Sequence, residues 1–203
     1  MLRIGLTGGI ASGKSTVCGM LQDQGCLILD ADNAAHELIL KGQPCYDPVV
    51  EAFGVKILDA AGEIDRPKLG SIVFEDQSLL ETLNKIIHPH VIRQILAKLD
   101  IMEAKHPQAT VVVDASLMIE SGFYKIFKRL IVVTCTLARQ MERLISRNGF
   151  SEAQARQRIS AQMPLEQKVR FADYIIENSG SLDETRTQVD ALIKEWSTTP
   201  WTV

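Results

Sequence analysis

The chain has 203 residues and a formal net charge of −3, with 46% hydrophobic and 23% charged residues. This composition is typical of one globular domain, and the mild acidity excludes an overall electrostatic footprint for nucleic acid. No apolar run approaches the roughly 18 residues of a membrane-spanning helix, and the start lacks the features of a signal peptide. Four cysteines without a C-x-x-C pair favour free thiols. We therefore expect a cytoplasmic protein with neither a membrane nor a nucleic-acid partner.

The most informative stretch is residues 8–15, which read GGIASGKS and fit the phosphate-binding P-loop, G-x-x-x-x-G-K-[ST]. A short apolar run over residues 2–7 precedes it, and Val17, Met20 and Leu21 recur after it at helical spacing. Strand, turn and helix thus follow in the order that the motif requires. Glycines let a phosphate approach the backbone, and the amides at the start of a helix bind anions. This context predicts a P-loop rather than a chance glycine turn.

Each residue type in the motif predicts a role. Lys14 is expected to reach the β- and γ-phosphates of a nucleotide and to act in catalysis, and the Ser15 hydroxyl to bind Mg²⁺. The residues expected to contact the nucleotide are Gly9, Ile10, Ala11, Ser12, Gly13, Lys14, Ser15 and Thr16.

A second apolar run, at residues 26–29, ends in the segment Asp30-Ala31-Asp32. Ligands bind at the carboxyl ends of parallel strands, so both carboxylates are predicted to lie on the rim that carries the P-loop. One carboxylate is expected to cap the following helix, residues 33–40, and the other to accept the proton of a substrate hydroxyl. We assign catalysis to Asp32; the alternative is that Asp32 provides the cap.

Residues 42–74 contain seven glycines and prolines. They are expected to form an irregular insertion on the ligand rim rather than core, with short helical stretches, such as residues 49–53, between the breaks. Within it, residues 59–62 have the D-x-x-G spacing of GTPases, but their polar surroundings predict a turn. Arg66 is a candidate contact for an anionic substrate, with a solvated surface arginine as the alternative. A helical pattern follows over residues 76–105, and Pro89 is expected to kink or restart that helix.

Three further apolar runs, at residues 110–114, 130–134 and 173–176, are predicted strands. The first ends in Asp114, in the position of a Walker B carboxylate that would help to hold Mg²⁺. Five strands alternating with helices imply a parallel sheet covered on both faces. A final amphipathic helix follows, and the tail from Thr198 is expected to be loose.

Residues 139–170 carry the strongest charge pattern, with seven basic and three acidic residues. The segment is therefore +4 in a chain of −3, and the remainder is −7. Arg139, Arg143 and Arg147 recur every four residues, which places them on one side of a helix. Ser151 with Gln154 has the spacing of a capping box and predicts the start of a second helix. A basic helical hairpin in a phosphate-binding protein predicts a lid, over about residues 138–170, that supplies arginines to the transferring phosphoryl group. The alternative is a solvated charged face.

Taken together, these residues resemble the dephospho-CoA kinases of coenzyme A synthesis along essentially the whole chain. The resemblance rests first on TGGIASGKS at residues 7–15 and on the D-A-D segment at 30–32. It continues in the same order through Asp65-Arg66, His88-Pro89, Leu117 to Glu120, Gln140 with Arg143 and Arg147, Gln162, Ala172-Asp173 and Asn178. Three positions depart from the family's usual residues: Ser116 stands where proline is usual, Asn148 where aspartate is common, and Asp114 where an apolar residue is frequent.

The resemblance implies phosphorylation of the ribose 3′-hydroxyl of 3′-dephospho-CoA by ATP with Mg²⁺, giving coenzyme A and ADP. It implies an α/β P-loop NTPase fold of three layers, with a five-stranded parallel sheet of order 2-3-1-4-5 and a helical lid. One kinase domain would span residues 1–203, with a substrate-binding insertion at about residues 32–88 and the lid at about 138–170. The expected state is a monomer or a weak homo-oligomer.

The resemblance also assigns site residues. The catalytic residues would be Asp32, Lys14, Arg143 and Arg147, and Asn178 would join the loop in binding the nucleotide. The substrate-binding residues would be Asp32, Arg66, His88, Glu120 and Gln162. Ser15 and Asp114 remain the candidates for the metal.

Two other interpretations stay open. A P-loop kinase of another small hydroxyl compound, such as a nucleoside or nucleotide, would share every feature except the family motifs. A GTPase-like switch would bind nucleotide to regulate partners, but the guanine signature N-K-x-D is missing, since residues 84–87 read NKII.

Overall fold

The computed structural model describes residues 1–198. The tail expected to be loose from Thr198 therefore lies outside the described residues, except for Thr198 itself, which is the last residue of a helix. The chain divides into two compact units, one formed by residues 1–29 with the chain from residue 102 onward, the other by residues 30–101. Of the helices within the described range, none is both long enough and apolar enough to cross a bilayer.

The first unit is built on a five-stranded parallel sheet. Its strands are β1 Leu2–Gly8, β2 Leu27–Asp30, β3 Thr110–Asp114, β4 Arg129–Thr134 and β5 Tyr174–Glu177. Their order is β2-β3-β1-β4-β5, and β1 pairs in parallel with both β3 and β4. The register places Leu6 opposite Asp114 and Gly8 opposite Val133, so the P-loop begins at the carboxyl edge of the sheet. The predicted α/β fold and strand order are confirmed.

Helices supply the rest of the fold. Their bounds are α1 Lys14–Asp23, α2 Ala31–Leu38, α3 Tyr46–Phe53, α4 Arg66–Glu75, α5 Gln77–Lys105, α6 Leu137–Asn148, α7 Glu152–Ser160, α8 Leu165–Lys168 and α9 Leu182–Thr198. In the first unit, Ile4 of β1 belongs to one buried cluster with Val17 and Leu21 of α1 and Val189 of α9. Burying each such side chain contributes about 1.5–3 kcal/mol. This core holds β1 and α1 in place, and the P-loop connects the two.

The short helical stretch predicted at residues 49–53 is part of α3, but the expectation that residues 42–74 are irregular and lie outside the core was wrong. Helices α3 and α4 occupy much of the segment, and the side chains of Cys45, Val49 and Ile57 are fully buried. The prolines open these helices: Pro67 lies at the start of α4 and Pro48 in the first turn of α3, where a missing amide proton costs little.

Helix α5 runs without interruption through Pro89, which excludes the predicted restart at that residue. Local cues were more reliable at turns and caps. The amide of Gly62 donates to the carbonyl of Asp59 at 3.1 Å, so the D-x-x-G segment is a turn, as predicted. Ser151 and Gln154 form the predicted capping box of α7.

Candidate active site

The loop between β1 and α1 has the backbone of an anion-binding turn. Ala11 and Gly13 have positive φ angles of 58° and 94°, and Gly13 caps α1 without any side-chain hydrogen bond. A Cβ at Gly13 would lie 1.8 Å from Asn178 Nδ2, so only glycine fits there. Within residues 1–198, the amides of Gly13 and Ser15 have no hydrogen-bond acceptor. These amides are therefore available to a phosphate.

Two glutamines hold the peptide groups of Ile10. Gln140 Nε2 donates to the Ile10 carbonyl at 2.7 Å, and the Ile10 amide donates to Gln162 Oε1 at 2.8 Å. Gln140 is buried, and a Cβ at Gly9 would lie 2.6 Å from its Nε2. The first half of the loop is thus fixed by side chains from α6 and from the segment after α7.

Arg143 and Asn178 hold the second half of the loop. Arg143 Nη1 donates to the carbonyls of Ala11 at 3.2 Å and Ser12 at 3.0 Å, and its Nη2 donates to the Asn178 carbonyl at 2.7 Å. Asn178 Nδ2 donates to the Ser12 carbonyl at 2.8 Å, and its Oδ1 accepts from Thr185 Oγ1 at 3.0 Å. Both side chains therefore support the loop, while the roles predicted for them toward the phosphoryl group and the nucleotide stay predictions.

A second observation, on the side chain of Ser12, also indicates that the loop binds an anionic ligand. The buried hydroxyl of Ser12 has no hydrogen-bond partner in the described part of the chain. Buried polar atoms are nearly always paired, so an orphaned one indicates a group that is supplied by a ligand or water. Thr16, by contrast, turns its amide to the Gly13 carbonyl at 3.0 Å.

The structure brings Lys14 and Asp114 together at the carboxyl edge of the sheet. Lys14 Nζ donates to Ser116 Oγ at 2.8 Å and lies 3.7 Å from Asp114 Oδ1. The side chains of Lys14 and Asp114 are only 12% and 13% exposed. The lysine predicted to be catalytic and one proposed metal ligand thus share a desolvated region, in which charge interactions are stronger than in water.

The proposed metal residues have the chemistry that Mg²⁺ prefers. Ser15 presents an exposed hydroxyl at the start of α1, and Asp114 a carboxylate at the end of β3. Within the described residues, no group of three or more His, Cys, Asp and Glu side chains could hold a metal. Mg²⁺ in phosphotransfer sites is held by one or two side chains together with the phosphates, so a few oxygen ligands fit it.

Sequence reasoning missed the role of Lys168, which it counted only as one basic residue of the lid. The side chain of Lys168 is completely buried, and its Nζ donates to the Ser116 carbonyl at 2.6 Å and pairs with Glu120 Oε1 at 2.9 Å. Glu120 also accepts from the Met163 amide at 3.0 Å. Glu120, a predicted substrate contact, is thus part of an ion pair. Nothing in the local pattern P-L-E-Q-K indicates that this lysine is buried.

In the second unit, the two carboxylates of the D-A-D segment have different surroundings. Asp30 Oδ1 accepts from the Asn33 amide at 2.7 Å and caps α2, which confirms that one carboxylate serves as a cap. Asp32 lies in the first turn of the helix, and its side chain is half-buried. This leaves Asp32 as the candidate for chemistry.

His36, a residue that the sequence analysis did not select, contacts Arg66 and is affected by the charge of Asp32. Arg66 Nη2 lies 2.7 Å from His36 Nε2. Burial lowers the pKa of His36, the Arg66 charge lowers it further, and the charges of Asp32 and Asp30 oppose both effects. A neutral ring that accepts from Arg66 at Nε2 agrees with that direction. The i, i+4 spacing of Asp32 and His36 on one helix was the available signal.

The remaining predicted residues lie in less enclosed places. Arg147 is exposed at the end of α6 and donates from Nε to Asn148 Oδ1 at 3.0 Å. Arg139 pairs with Glu142 at 2.8 Å. His88 is half-buried on α5.

Known proteins resemble this chain over nearly its whole length. A family model described as dephospho-CoA kinase matches residues 2–184. A dephospho-CoA kinase of Bacillus cereus is 45% identical over 194 residues, which is 96% of each chain. That of Carboxydothermus hydrogenoformans is 43% identical over 198 residues, covering 98% of this chain and 96% of the relative.

Solved structures agree. The structure of TT1252 from Thermus thermophilus has a TM-score of 0.78 at 30% identity, covering 96% of this chain and 97% of that one. A dephospho-CoA kinase from Campylobacter jejuni has a TM-score of 0.69 at 28% identity, covering 96% of both chains. A shikimate kinase from Bacteroides thetaiotaomicron, at 15% identity, has a TM-score of 0.53 and covers 97% of this chain and 98% of its own. That last likeness concerns the fold alone.

Proposed function

The chain belongs to the dephospho-CoA kinase family, and from this premise we propose that it phosphorylates the ribose 3′-hydroxyl of 3′-dephospho-CoA with ATP, the last step of coenzyme A synthesis. The observation that carries the proposal is the P-loop. Its free amides at Gly13 and Ser15 and the orphaned Ser12 hydroxyl sit beside Lys14 in a chain that matches the family over residues 2–184.

Phosphoryl transfer passes through a loose transition state, so catalysis consists mainly of positioning and charge stabilisation. The loop amides bind the β- and γ-phosphates, and the Lys14 ammonium stabilises the charge that develops on them. Ser15 and Asp114 would hold Mg²⁺, which would neutralise negative charge at the phosphate oxygens. Asp32 orients the 3′-hydroxyl and accepts its proton.

The other site residues complete the proposal. Arg143 and Arg147 bring positive charge to the transferring group, and Asn178 contributes to the nucleotide site. Substrate contacts are assigned to Arg66, His88, Glu120 and Gln162. The protein is proposed to act in the cytoplasm as a monomer or weak homo-oligomer, without a nucleic-acid or membrane partner.

An acceptor screen with coupled ADP detection tests this function. Dephospho-CoA should be turned over far better than adenosine, AMP or pantetheine, and ATP should be preferred to GTP as donor. A preference for AMP would make the chain a nucleotide kinase. GTP hydrolysis that needs no acceptor would indicate a regulatory switch.

A further inference from the structure

Lys168 is the largest of the fully buried side chains in the described chain, and it is charged. Burying an ammonium group is costly unless it is paired and hydrogen-bonded. Here both conditions are met, because Nζ donates to the Ser116 carbonyl at 2.6 Å and lies 2.9 Å from Glu120 Oε1 and 3.2 Å from Oε2. The cost of burying the Lys168 ammonium group is therefore offset by its ion pair and hydrogen bond.

The partner of Lys168 is also the partner of Lys14. The carbonyl of Ser116 accepts from Lys168, while the hydroxyl of the same residue accepts from Lys14 Nζ at 2.8 Å. A few covalent bonds join these two oxygens, so fixing the peptide also fixes the position from which the hydroxyl can reach Lys14. Ser116 is thus in contact with both ammonium groups.

The Ser116 carbonyl has a second, weaker donor. Thr7 Oγ1 has one proton, which it shares between that carbonyl at 3.2 Å and the Ala115 carbonyl at 2.7 Å. A buried ion pair is often no more stable than apolar residues of similar volume, so stability alone is a weak reason for this lysine. Its location suggests another reason: it ends α8, the short helix near the end of the proposed lid.

We infer that Lys168 is a positioning residue for phosphate binding, which acts through Ser116 to hold the Lys14 ammonium where it meets the β- and γ-phosphates. The inference deepens the proposed function and rests on the phosphate-binding role of Lys14. The expected consequence is selective. A substitution at Lys168 should weaken the binding of ligands that carry β- and γ-phosphates and leave the binding of a nucleoside monophosphate unchanged.

Calorimetric titration of Lys168→Met with ATP and with AMP tests the selectivity. ATP binding should weaken about 10-fold, as for loss of a group that orients a primary ligand, with AMP binding unchanged. In a Lys14→Ala background the same substitution should have no further effect on ATP binding, since its path of action is gone. Turnover by Lys168→Met should fall by up to about 10²-fold, the scale of a small misplacement of a catalytic group.

Two companion variants keep the test decisive. Ser116→Ala removes the hydroxyl that contacts Lys14 but keeps the carbonyl and the buried ion pair, so it should fold normally and weaken ATP binding in the same sense. Arg156→Met is the matched control, because it breaks an exposed ion pair with Glu152 on α7 and should leave ATP binding unchanged. If Lys168→Met does not fold, Ser116→Ala decides.

The inference is overturned if Lys168→Met lowers the melting temperature while ATP affinity stays at the parental value. It is equally overturned if AMP and ATP binding weaken alike, or if Ser116→Ala binds ATP like the parent. Binding is measured without an acceptor, so a failure of dephospho-CoA as substrate would count against the proposed function and leave this result intact.

Discussion

Two regions, the P-loop at residues 8–15 and the D-A-D segment at residues 30–32, here called the carboxylate segment, are held in place by different kinds of contact. Side chains far away in sequence hold the loop: Gln140 reaches Ile10 across 130 residues, and Arg143 reaches Ala11 across 132. The carboxylate segment is held by its own helix, where Asp30 caps an amide three residues ahead. Substitutions around the loop should therefore cost stability and activity together, whereas substitutions in the carboxylate segment should separate the two.

The largest effect is expected at Asp32, where that separation should be complete. Asp32→Asn should lower kcat about 10²-fold, the lower end of what a positioned base supplies, because a loose transition state demands little proton transfer. The free energy of unfolding should stay within about 0.5 kcal/mol of the parent, since Asp32 does not provide the cap. Steady-state kinetics and urea unfolding of the same preparation measure both quantities.

Asp30 offers a matched control for that experiment. Asparagine caps helices as well as aspartate, so Asp30→Asn removes a charge while it keeps the cap, and kcat should change little. Asp30→Ala removes the cap and should cost about 1 kcal/mol of stability. A larger loss of kcat in Asp30→Asn than in Asp32→Asn would reverse the assignment within the pair.

A smaller effect is expected from Arg143 and Arg147, the two arginines of the proposed lid, which differ in their hydrogen bonds. Arg143→Ala removes three hydrogen bonds to backbone carbonyls and should cost about 1–3 kcal/mol of stability, together with about 10-fold in kcat. Arg147 is exposed, so Arg147→Ala should lower kcat by a similar factor and leave the free energy of unfolding almost unchanged. Each effect on kcat is far below the 10³–10⁵ of a single delivered arginine, because the neighbour partly substitutes.

The double variant sharpens this point. If both arginines serve the same phosphoryl group, their effects on kcat should be non-additive, while their effects on stability should simply add. Arg139→Ala serves as control, since Arg139 lies on the same helix and is paired with Glu142. An Arg143→Ala and Arg147→Ala variant with parental kcat would reduce the row of arginines to a charged surface.

The sequence was most informative where structure is set locally or by strand burial. The five apolar runs predicted the sheet, the G-x-x-x-x-G-K-S motif predicted the loop, and short-range spacing predicted the caps at Ser151 and Asp30. The predicted restart at Pro89 was wrong, because a long helix tolerates one missing hydrogen bond when packing holds it.

What could not be predicted depends on contacts between distant residues. The burial of Lys168 follows from Ser116 and Glu120, about 50 residues earlier in the chain, and no local pattern encodes such a pairing. The same holds for Arg143. Its spacing predicted the helix face on which it lies, and only the structure shows that its side chain contacts carbonyls of the P-loop. Residues 42–74 were misjudged because proline was taken as a breaker where it begins a helix.

The smallest expected effect concerns the pH dependence of the carboxylate segment, through His36. Burial and Arg66 lower its pKa from the ordinary value of 6.5, so the folded protein binds this proton less tightly than the unfolded chain does. Below pH 6.5 the unfolded chain therefore carries more protons, and stability falls as the pH falls through the window between 6.5 and the folded pKa. Protonation also ends the acceptance of a hydrogen bond from Arg66 at Nε2.

Melting temperatures recorded between about pH 7.5 and about pH 5.5 test this pH dependence, since unperturbed histidines titrate within that interval. The parent should lose more stability on acidification than His36→Gln, because glutamine still offers Arg66 an acceptor and does not titrate. The KM for the acceptor should rise on acidification in the parent and stay flatter in the variant, if Arg66 binds an anionic part of the substrate. His106→Gln, at an exposed position after α5, is the control and should follow the parent. If the melting temperature and KM depend on pH in the same way in the parent and in His36→Gln, then His36 causes none of this pH dependence and does not position Arg66.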